Sequence, residues 1–168
     1  MNFSNFGSNN KTNSVVNFEN ATSELIFISY AREDRNFALK LYDSLKKCDR
    51  AAWLDISIPH TAEWKREIDE KINESTAITF VISPHSTARD SFCLIELDIA
   101  ASHEKRIIPV LYKDVDHANV DSRLAKKQWI NFTAEEDFDK SAADLITALN
   151  ADLNYLKQHT YLGLEQTD

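Results

Sequence analysis

Five apolar runs lie along the chain, most of them continuous rather than alternating, and this feature limits the possible folds more than any other. A strand that faces water on one side alternates apolar and polar residues, whereas a strand covered on both faces is apolar throughout. Segments of helical spacing separate the runs, and short polar loops join the two kinds of segment. The runs are LIFIS (25–29), AAWL (51–54), AITFVIS (77–83), RIIPVLY (106–112) and QWINF (128–132).

The alternation of buried strands with helices predicts an α/β fold, a doubly wound sheet of five parallel strands. The expected strand order is the flavodoxin-like order 2-1-3-4-5, which places a ligand crevice between the first and third strands, at their C-terminal ends. Asp34 is the expected cap of the first helix, and a polar loop or a broken helix precedes the last strand. The predicted helices are 34–48, 62–75, 88–103 and 137–159.

The stretch SFCLIELDIAA (91–101) has a carboxylate where its helical spacing predicts a buried face. At about 100° per residue, Glu96 lies in the middle of a broad apolar face, and Asp98 points away from it. The predicted helix leaves the loop that borders the expected crevice, so Glu96 and the crevice coincide. A structural alternative is a partly buried Glu96 that is paired with Arg32 or Arg89. The apolar residues of this face are Phe92, Cys93, Ile95, Ile99 and Ala100.

Several classes of binding site are excluded by residues that the chain lacks at the necessary places. Its only glycines are Gly7 and Gly163, both outside the patterned region. Rossmann and P-loop sites need glycines between strand and helix, where backbone N–H groups approach phosphate. We therefore expect neither of them. The five histidines are scattered, without metal-ligand spacing on one helix, and no metal site is expected.

The charge and hydropathy of the chain exclude two kinds of partner. A formal charge of −8 does not provide the basic stripe of a general nucleic-acid binder. No apolar run approaches the length of about 18 residues that a membrane helix needs, and we expect neither a membrane span nor a secretion signal. Cys48 and Cys93 lie in helical patterns, which fits a reduced, cytoplasmic protein. Residues 1–22 are rich in Asn and Ser and predict a disordered leader.

Five motifs follow one another along the chain: IFISYAREDR (26–35), AWLDISIPHTAEW (52–64), FVISPHSTARDSFCLIEL (80–97), RIIPVLY (106–112) and WINF (129–132). In order and spacing they resemble the boxes of a TIR (Toll/interleukin-1 receptor) domain. The resemblance is to bacterial TIR modules at the N-terminus of larger signalling or defence proteins. We expect the TIR domain to cover 23–158, and residues 159–168 to form a tail or the start of a linker to a missing region.

The resemblance implies an enzyme that consumes NAD+. Many TIR domains cleave the nicotinamide–ribose bond, and their essential glutamate aligns with Glu96. NAD+ is then a substrate, and no cofactor is expected. Nicotinamide departs as a neutral molecule, so one carboxylate suffices to stabilise the oxocarbenium-like ribose that remains. The apolar side chains of Phe92 and Ile99 on either side of Glu96 would raise the pKa of this carboxyl group. The product is ADP-ribose or a cyclic isomer.

The resemblance also assigns residues to the substrate. Tyr30 and Arg32 follow the first strand and would meet the ribose or the pyrophosphate. Trp64 would stack on the base of the nucleotide, unless it is a core residue of its helix. Phe92 would form an aromatic wall one turn before Glu96. The complete expected substrate-binding set is Tyr30, Arg32, Asp55, Trp64 and Phe92.

The loop after the second strand is the expected interface with other TIR domains. In this family the active site is often completed only when domains associate head to tail, so an isolated domain is expected to be weakly active. The main expected function is an NAD+ nucleosidase that self-assembles in signalling or antiviral defence. The alternatives are a non-catalytic TIR–TIR interaction module and, more remotely, a related nucleotide hydrolase or cyclic-nucleotide synthase. The interface residues are Ile56, Ser57, Ile58, Pro59 and His60.

Overall fold

Five parallel strands form one sheet in the order β2-β1-β3-β4-β5. The structure, a computed structural model, describes residues 24–56 and 61–164. The side chains of these residues are described as far as residue 151. The predicted fold class and strand order are confirmed. The predicted leader lies outside the described residues. The strands are β1 (Leu25–Ser29), β2 (Ala51–Leu54), β3 (Ala77–Ile82), β4 (Arg106–Leu111) and β5 (Ile130–Asn131).

The helices differ from the sequence-based expectation mainly at their ends. The third helix begins later than predicted because Ser91 caps it: the backbone N–H of Cys93 donates to Ser91 Oγ at 3.2 Å. The last helix continues beyond the predicted end at residue 159. A four-residue helix fills part of the segment predicted as a loop or broken helix. The helices are α1 (Arg35–Lys47), α2 (Ala62–Glu74), α3 (Phe92–Ser102), α4 (Ser122–Ala125) and α5 (Phe138–Leu164).

Each face of the sheet is covered by a separate layer of helices. On β1, Ile26 and Ile28 join the apolar cluster of α1 and α5, whereas Phe27 joins the cluster of α2 and α3. Side chains of a strand alternate between the faces, so a strand covered on both faces must be apolar throughout. This explains the continuous apolar runs. None of the described helices is both long and apolar enough to cross a membrane.

Asp34 does not cap α1 as predicted. It occupies the N-cap position, but its side chain makes no capping hydrogen bond. The carboxylate is buried instead and accepts a hydrogen bond from Ser83 Oγ, beyond the end of β3. This contact joins the start of α1 to the loop that follows β3.

The buried face of α3 is rotated relative to the predicted face. Leu97 is fully buried, whereas Ile95 is 36% exposed, so the placement of Ile95 on the apolar face was wrong. Asp98 points away from the core as predicted and pairs with Arg123 at 2.7 Å. The rotation moves Glu96 from the middle of the buried face to its border, where α3 meets the end of β1. The buried residues of α3 are Cys93, Glu96, Leu97 and Ala100.

Candidate functional site

A cleft of about 300 Å³ lies at the C-terminal ends of β1 and β3. Because the chain leaves these strands toward opposite faces of the sheet, to α1 and to α3, the connections diverge and leave a crevice between them. This is the edge at which the sequence predicted a ligand site. The structure brings all the predicted catalytic and substrate-binding residues to this cleft: Tyr30, Arg32, Asp55, Trp64, Phe92 and Glu96. Their roles stay predictions.

Glu96 is a buried carboxylate without a charged partner. It is 5% exposed and forms no ion pair with a described residue, and its Oε2 has no hydrogen-bond partner there. The contacts therefore give no support to pairing with Arg32 or with Arg89, which is exposed. Burial is the largest influence and raises the pKa of Glu96 to about 8. Two smaller influences act in opposite directions: the nearby Ser29 hydroxyl lowers this pKa, and the negative charge of Asp55 raises it. The predicted direction of the pKa shift is thus found.

Asp55 connects two aromatic residues of the cleft. The indole Nε1–H of Trp64 donates to Asp55 Oδ2, and the hydroxyl of Tyr30 donates to the backbone carbonyl of Asp55 at 2.6 Å. Burial, and then the charge of Asp55, raises the pKa of Tyr30, so Tyr30 remains a protonated donor. These bonds link the chain after β2 to β1 and α2.

Trp64 belongs to the core and to the cleft at once. It is buried against Ile68 and Ile72 in the cluster of α2 and α3, and it also lines the cleft. Its ring meets that of Phe92 edge-on, with ring centroids 5.4 Å apart and an interplanar angle of 79°. Trp64 is thus a core residue of α2 that also borders the cleft, and its stacking on a base stays a prediction. The pair forms one aromatic wall of the cleft.

Asp34 and Ser83 connect the two loops that border the cleft. Ser83 Oγ donates to Asp34 Oδ2 and accepts from the backbone N–H of Ser86 at 3.2 Å, and all three residues are buried. The backbone N–H of Asp34 donates to the carbonyl of Ala31, a lining residue, at 2.8 Å. Sequence reasoning missed this contact because Asp34 resembled a helix cap. The available signal was a polar residue in each of the two loops that follow these buried strands, Asp34 after β1 and Ser83 after β3.

The remaining polar side chains do not form a metal site. Within the described ranges, no group of three or more His, Cys, Asp or Glu residues is placed to hold a metal ion. His85 lies at the cleft with its Nδ1 4.0 Å from Glu33 Oε1, and both side chains are more than half exposed. His103 pairs with Asp69 at 3.1 Å and does not line the cleft.

Only the first residue of the predicted interface loop is described. Ile56 follows Asp55 and is 71% exposed, far more than any other large apolar side chain among the described residues. Ser57, Ile58, Pro59 and His60 lie outside the described residues. The exposed side chain of Ile56 therefore provides an apolar surface next to Asp55, a residue that lines the cleft.

Comparison with known proteins identifies the family. A family model described as the TIR domain matches residues 26–146, which is most of the chain. The chain belongs to the TIR domain family. No curated protein matches it. The match includes every lining residue named above, from Tyr30 to Glu96.

Solved structures share the fold at low sequence identity. The TIR domain of the Toll-related receptor TRR-2 from Hydra magnipapillata is 22% identical, with a TM-score of 0.61, over 74% of this chain and 97% of that domain. The TIR domains of the activated Roq1 resistosome are 17% identical, with a TM-score of 0.59, over 76% of this chain and 99% of that chain. At such identities the likeness shows the fold alone.

We predict that the Asp34–Ser83 contact stabilises the fold. Ser83→Ala leaves a buried carboxylate short of a donor and should lower the free energy of unfolding by about 1–3 kcal/mol. Ser102→Ala, which removes an exposed hydroxyl that donates to Ile99 at 2.7 Å, is the control and should change it by less than about 0.5 kcal/mol. Urea unfolding measures both. Equal losses would contradict the assignment.

We also predict that Glu96 makes stability fall as pH rises. Its pKa in the folded chain, about 8, exceeds its ordinary value of 4.5, so the folded state binds the proton more tightly. The contribution of protonated Glu96 to the free energy of unfolding is complete below about pH 4.5. It is lost as the pH rises toward 8, by at most about 1.4 kcal/mol per pH unit. Glu96→Gln should lack this slope and be more stable than the wild type at pH 8. Thermal unfolding from pH 5 to 8.5 measures how stability depends on pH, and Glu74→Gln, at an exposed position, is the control. The same slope in the wild type, Glu96→Gln and Glu74→Gln would refute the prediction.

Proposed function

We propose that the chain is an NAD+ nucleosidase that breaks the nicotinamide–ribose bond and uses Glu96 as its catalytic carboxylate. The observation that carries the proposal is the state of Glu96. Its side chain is buried at the cleft without a counter-charge, and one carboxylate oxygen has no hydrogen-bond partner among the described residues. A fold retains such a group at a stability penalty, and perturbed carboxylates of this kind concentrate at functional sites.

The chemistry of NAD+ suits a site with a single buried carboxylate. When the C1′–N bond breaks, its electron pair stays on the ring nitrogen, and the positively charged pyridinium becomes neutral nicotinamide. Positive charge develops on the ribose, and the Glu96 carboxylate stabilises it strongly because the surroundings have a low dielectric constant. Water then attacks C1′ and loses a proton to give ADP-ribose, or an internal nucleophile attacks to give a cyclic isomer.

Other residues of the cleft suit the remaining parts of the substrate. The edge-to-face pair of Trp64 and Phe92 presents aromatic surface to a cationic ring or a base. Arg32 is an arginine that lines the cleft and is the group suited to the pyrophosphate. The unpartnered Oε2 of Glu96 would accept a hydrogen bond from a ribose hydroxyl. That bond would favour the ionised carboxylate once substrate is bound.

Two further neighbours share the scaffold and act on related bonds. A CMP N-glycosidase, BcmB from Clostridium botulinum, is 15% identical with a TM-score of 0.50, over 73% of this chain and 99% of that enzyme. A 2-deoxyribosyltransferase from Bacillus psychrosaccharolyticus is 12% identical, also at a TM-score of 0.50. Their names describe reactions at the bond between a sugar and a base. They support the proposal only as examples of what this fold accommodates.

Self-association is the proposed means of activation. The TIR domains of RPS4 and RRS1 form a heterodimer, and those of Roq1 belong to a resistosome. By analogy, the Ile56–His60 loop would contact a neighbouring copy head to tail, and the exposed Ile56 supports this use. A cytoplasmic signalling or antiviral defence role fits such an assembly.

A second candidate function is a non-catalytic TIR–TIR interaction module. The exposed apolar Ile56 supports it too, because such a side chain can contact another TIR domain whether or not the domain is an enzyme. The two candidates differ at Glu96, which only the enzyme needs. A scaffold would keep its partners after Glu96→Gln and would consume no NAD+.

We predict that Glu96→Gln and Glu96→Ala reduce NAD+ consumption by about 100-fold or more, because the charge that stabilises the ribose is lost. Asp98→Asn is the matched control. It lies two residues away on the same helix, on the exposed face, and should retain wild-type activity. Chromatography of nicotinamide release measures all four proteins. Folded Glu96 variants that consume NAD+ at the wild-type rate would disprove the mechanism.

We predict that kcat/KM increases with pH. The reactive form of Glu96 is ionised, and its pKa in the free protein is about 8. Well below that pH, each unit should raise kcat/KM by about tenfold, with a plateau above it. Initial rates at low NAD+ from pH 6 to 9.5 measure the profile. A flat or falling profile would show that the ionised carboxylate is not the reactive form.

A further inference from the structure

Ser29 is a polar residue in the most buried part of the sheet. It ends β1 after three buried apolar residues and is itself fully buried. Its Oγ has no hydrogen-bond partner among the described residues. An unpartnered buried hydroxyl is unfavourable, and alanine would fit the same place without the loss. The hydroxyl therefore calls for a role that the fold alone does not supply.

The direction of the strand turns Ser29 toward α3. Side chains along β1 alternate, and Phe27 and Ala31 both pack in the cluster formed by α2 and α3. Ser29 lies between them in sequence and shares their face. Its hydroxyl is close enough to act on the side chains of both Cys93 and Glu96. Two unpartnered buried oxygens, Ser29 Oγ and Glu96 Oε2, thus lie at the same junction of β1 and α3.

We propose that Ser29 is a positioning residue for Glu96. Its hydroxyl donates a hydrogen bond to one oxygen of the ionised carboxylate and leaves the other oxygen for the substrate. The proposal rests on the proposed function for its purpose, but the contact itself can be tested without any reaction. Cys93 is a poor substitute as a donor, because a thiol donates weakly and burial raises the pKa of Cys93 to about 12.

The contact would have two physical consequences. A hydroxyl is neutral, so it stabilises the charged carboxylate without cancelling the negative charge that the ribose needs. A directed hydrogen bond also selects one orientation of the side chain, which matters because no described residue forms an ion pair that would fix Glu96. Other charged or titratable groups also line the cleft, and of these Asp55, Tyr30 and Cys93 interact with Glu96 through its charge. The lining groups are Tyr30, Arg32, Glu33, Asp55, His85, Asp90 and Cys93.

The test is a direct titration of the Glu96 carboxyl carbon by NMR. Protein labelled with ¹³C at glutamate Cδ is titrated from pH 5 to 10, and the Glu96 signal is assigned by its absence in Glu96→Gln. Ser29→Ala should raise the midpoint by about one pH unit, because a donor to the charged form is lost. Ser29→Cys, which fills the space with a weaker donor, should give an intermediate midpoint.

Thr79→Val is the matched control. Thr79 on β3 is equally buried and its Oγ1 is also unpartnered, but it lies between Ile78 and Phe80, which face α2 and α3, and so points to the opposite face. Its removal should leave the Glu96 midpoint unchanged. An unchanged midpoint in both Ser29 variants, or an equal rise in Thr79→Val, would overturn the proposal.

Activity gives a second, separable readout. If the proposed function holds, Ser29→Ala should lower kcat/KM about tenfold at pH 7, and the loss should shrink as the pH passes the new midpoint. A uniform loss at every pH would point to a structural defect and would contradict positioning of the ionised carboxylate. If the wild type consumes no NAD+, the proposed function fails, whereas the NMR titration still decides the role of Ser29.

Discussion

The parallel order of the sheet is the constraint on which the site depends. β1 continues into α1 on one face and β3 continues into α3 on the other, so their C-terminal ends open into a cleft. This geometry also places the border of α3, where Glu96 lies, above the end of β1. The Asp34–Ser83 hydrogen bond then connects the two diverging loops and limits how far they separate. The topology of the sheet forms the cleft, and the buried hydrogen bond between Asp34 and Ser83 joins the loops on its two sides.

Electrostatics gives this cleft its chemical character. Burial of the Glu96 carboxylate, which forms no ion pair with a described residue, makes the folded chain favour its protonated form near neutral pH. The same low dielectric constant that disfavours the charge also strengthens its action on a cationic transition state. The polar atoms of Trp64 and Tyr30 donate hydrogen bonds to Asp55, and both residues line the cleft. The buried carboxylate of Glu96 thus lowers the stability of the fold, whereas the hydrogen bonds to Asp55 stabilise the residues around it.

The fold and the meeting of the predicted residues at one cleft could be predicted from the sequence, but the contacts between residues could not. Continuous apolar runs require coverage on both faces, which leaves few topologies besides the doubly wound sheet. The position of Glu96 followed from helical spacing, yet a helix can rotate by a fraction of a turn, and this rotation exposes Ile95. Asp34 was misinterpreted because capping is a local pattern, whereas its partner Ser83 is distant in sequence. Ser29 is the last residue of an apolar run in the sequence, and only packing reveals that its hydroxyl has no partner among the described residues.

The most direct test of the central claim is to incubate the wild-type chain with NAD+ at increasing protein concentration and to separate the products by chromatography. Cleavage at the nicotinamide–ribose bond predicts one nicotinamide released for each NAD+ lost, with ADP-ribose or a cyclic isomer as the second product. If association completes the site, the rate rises faster than linearly with protein concentration. Folded protein that releases no nicotinamide at any concentration would contradict the claim and favour the interaction module.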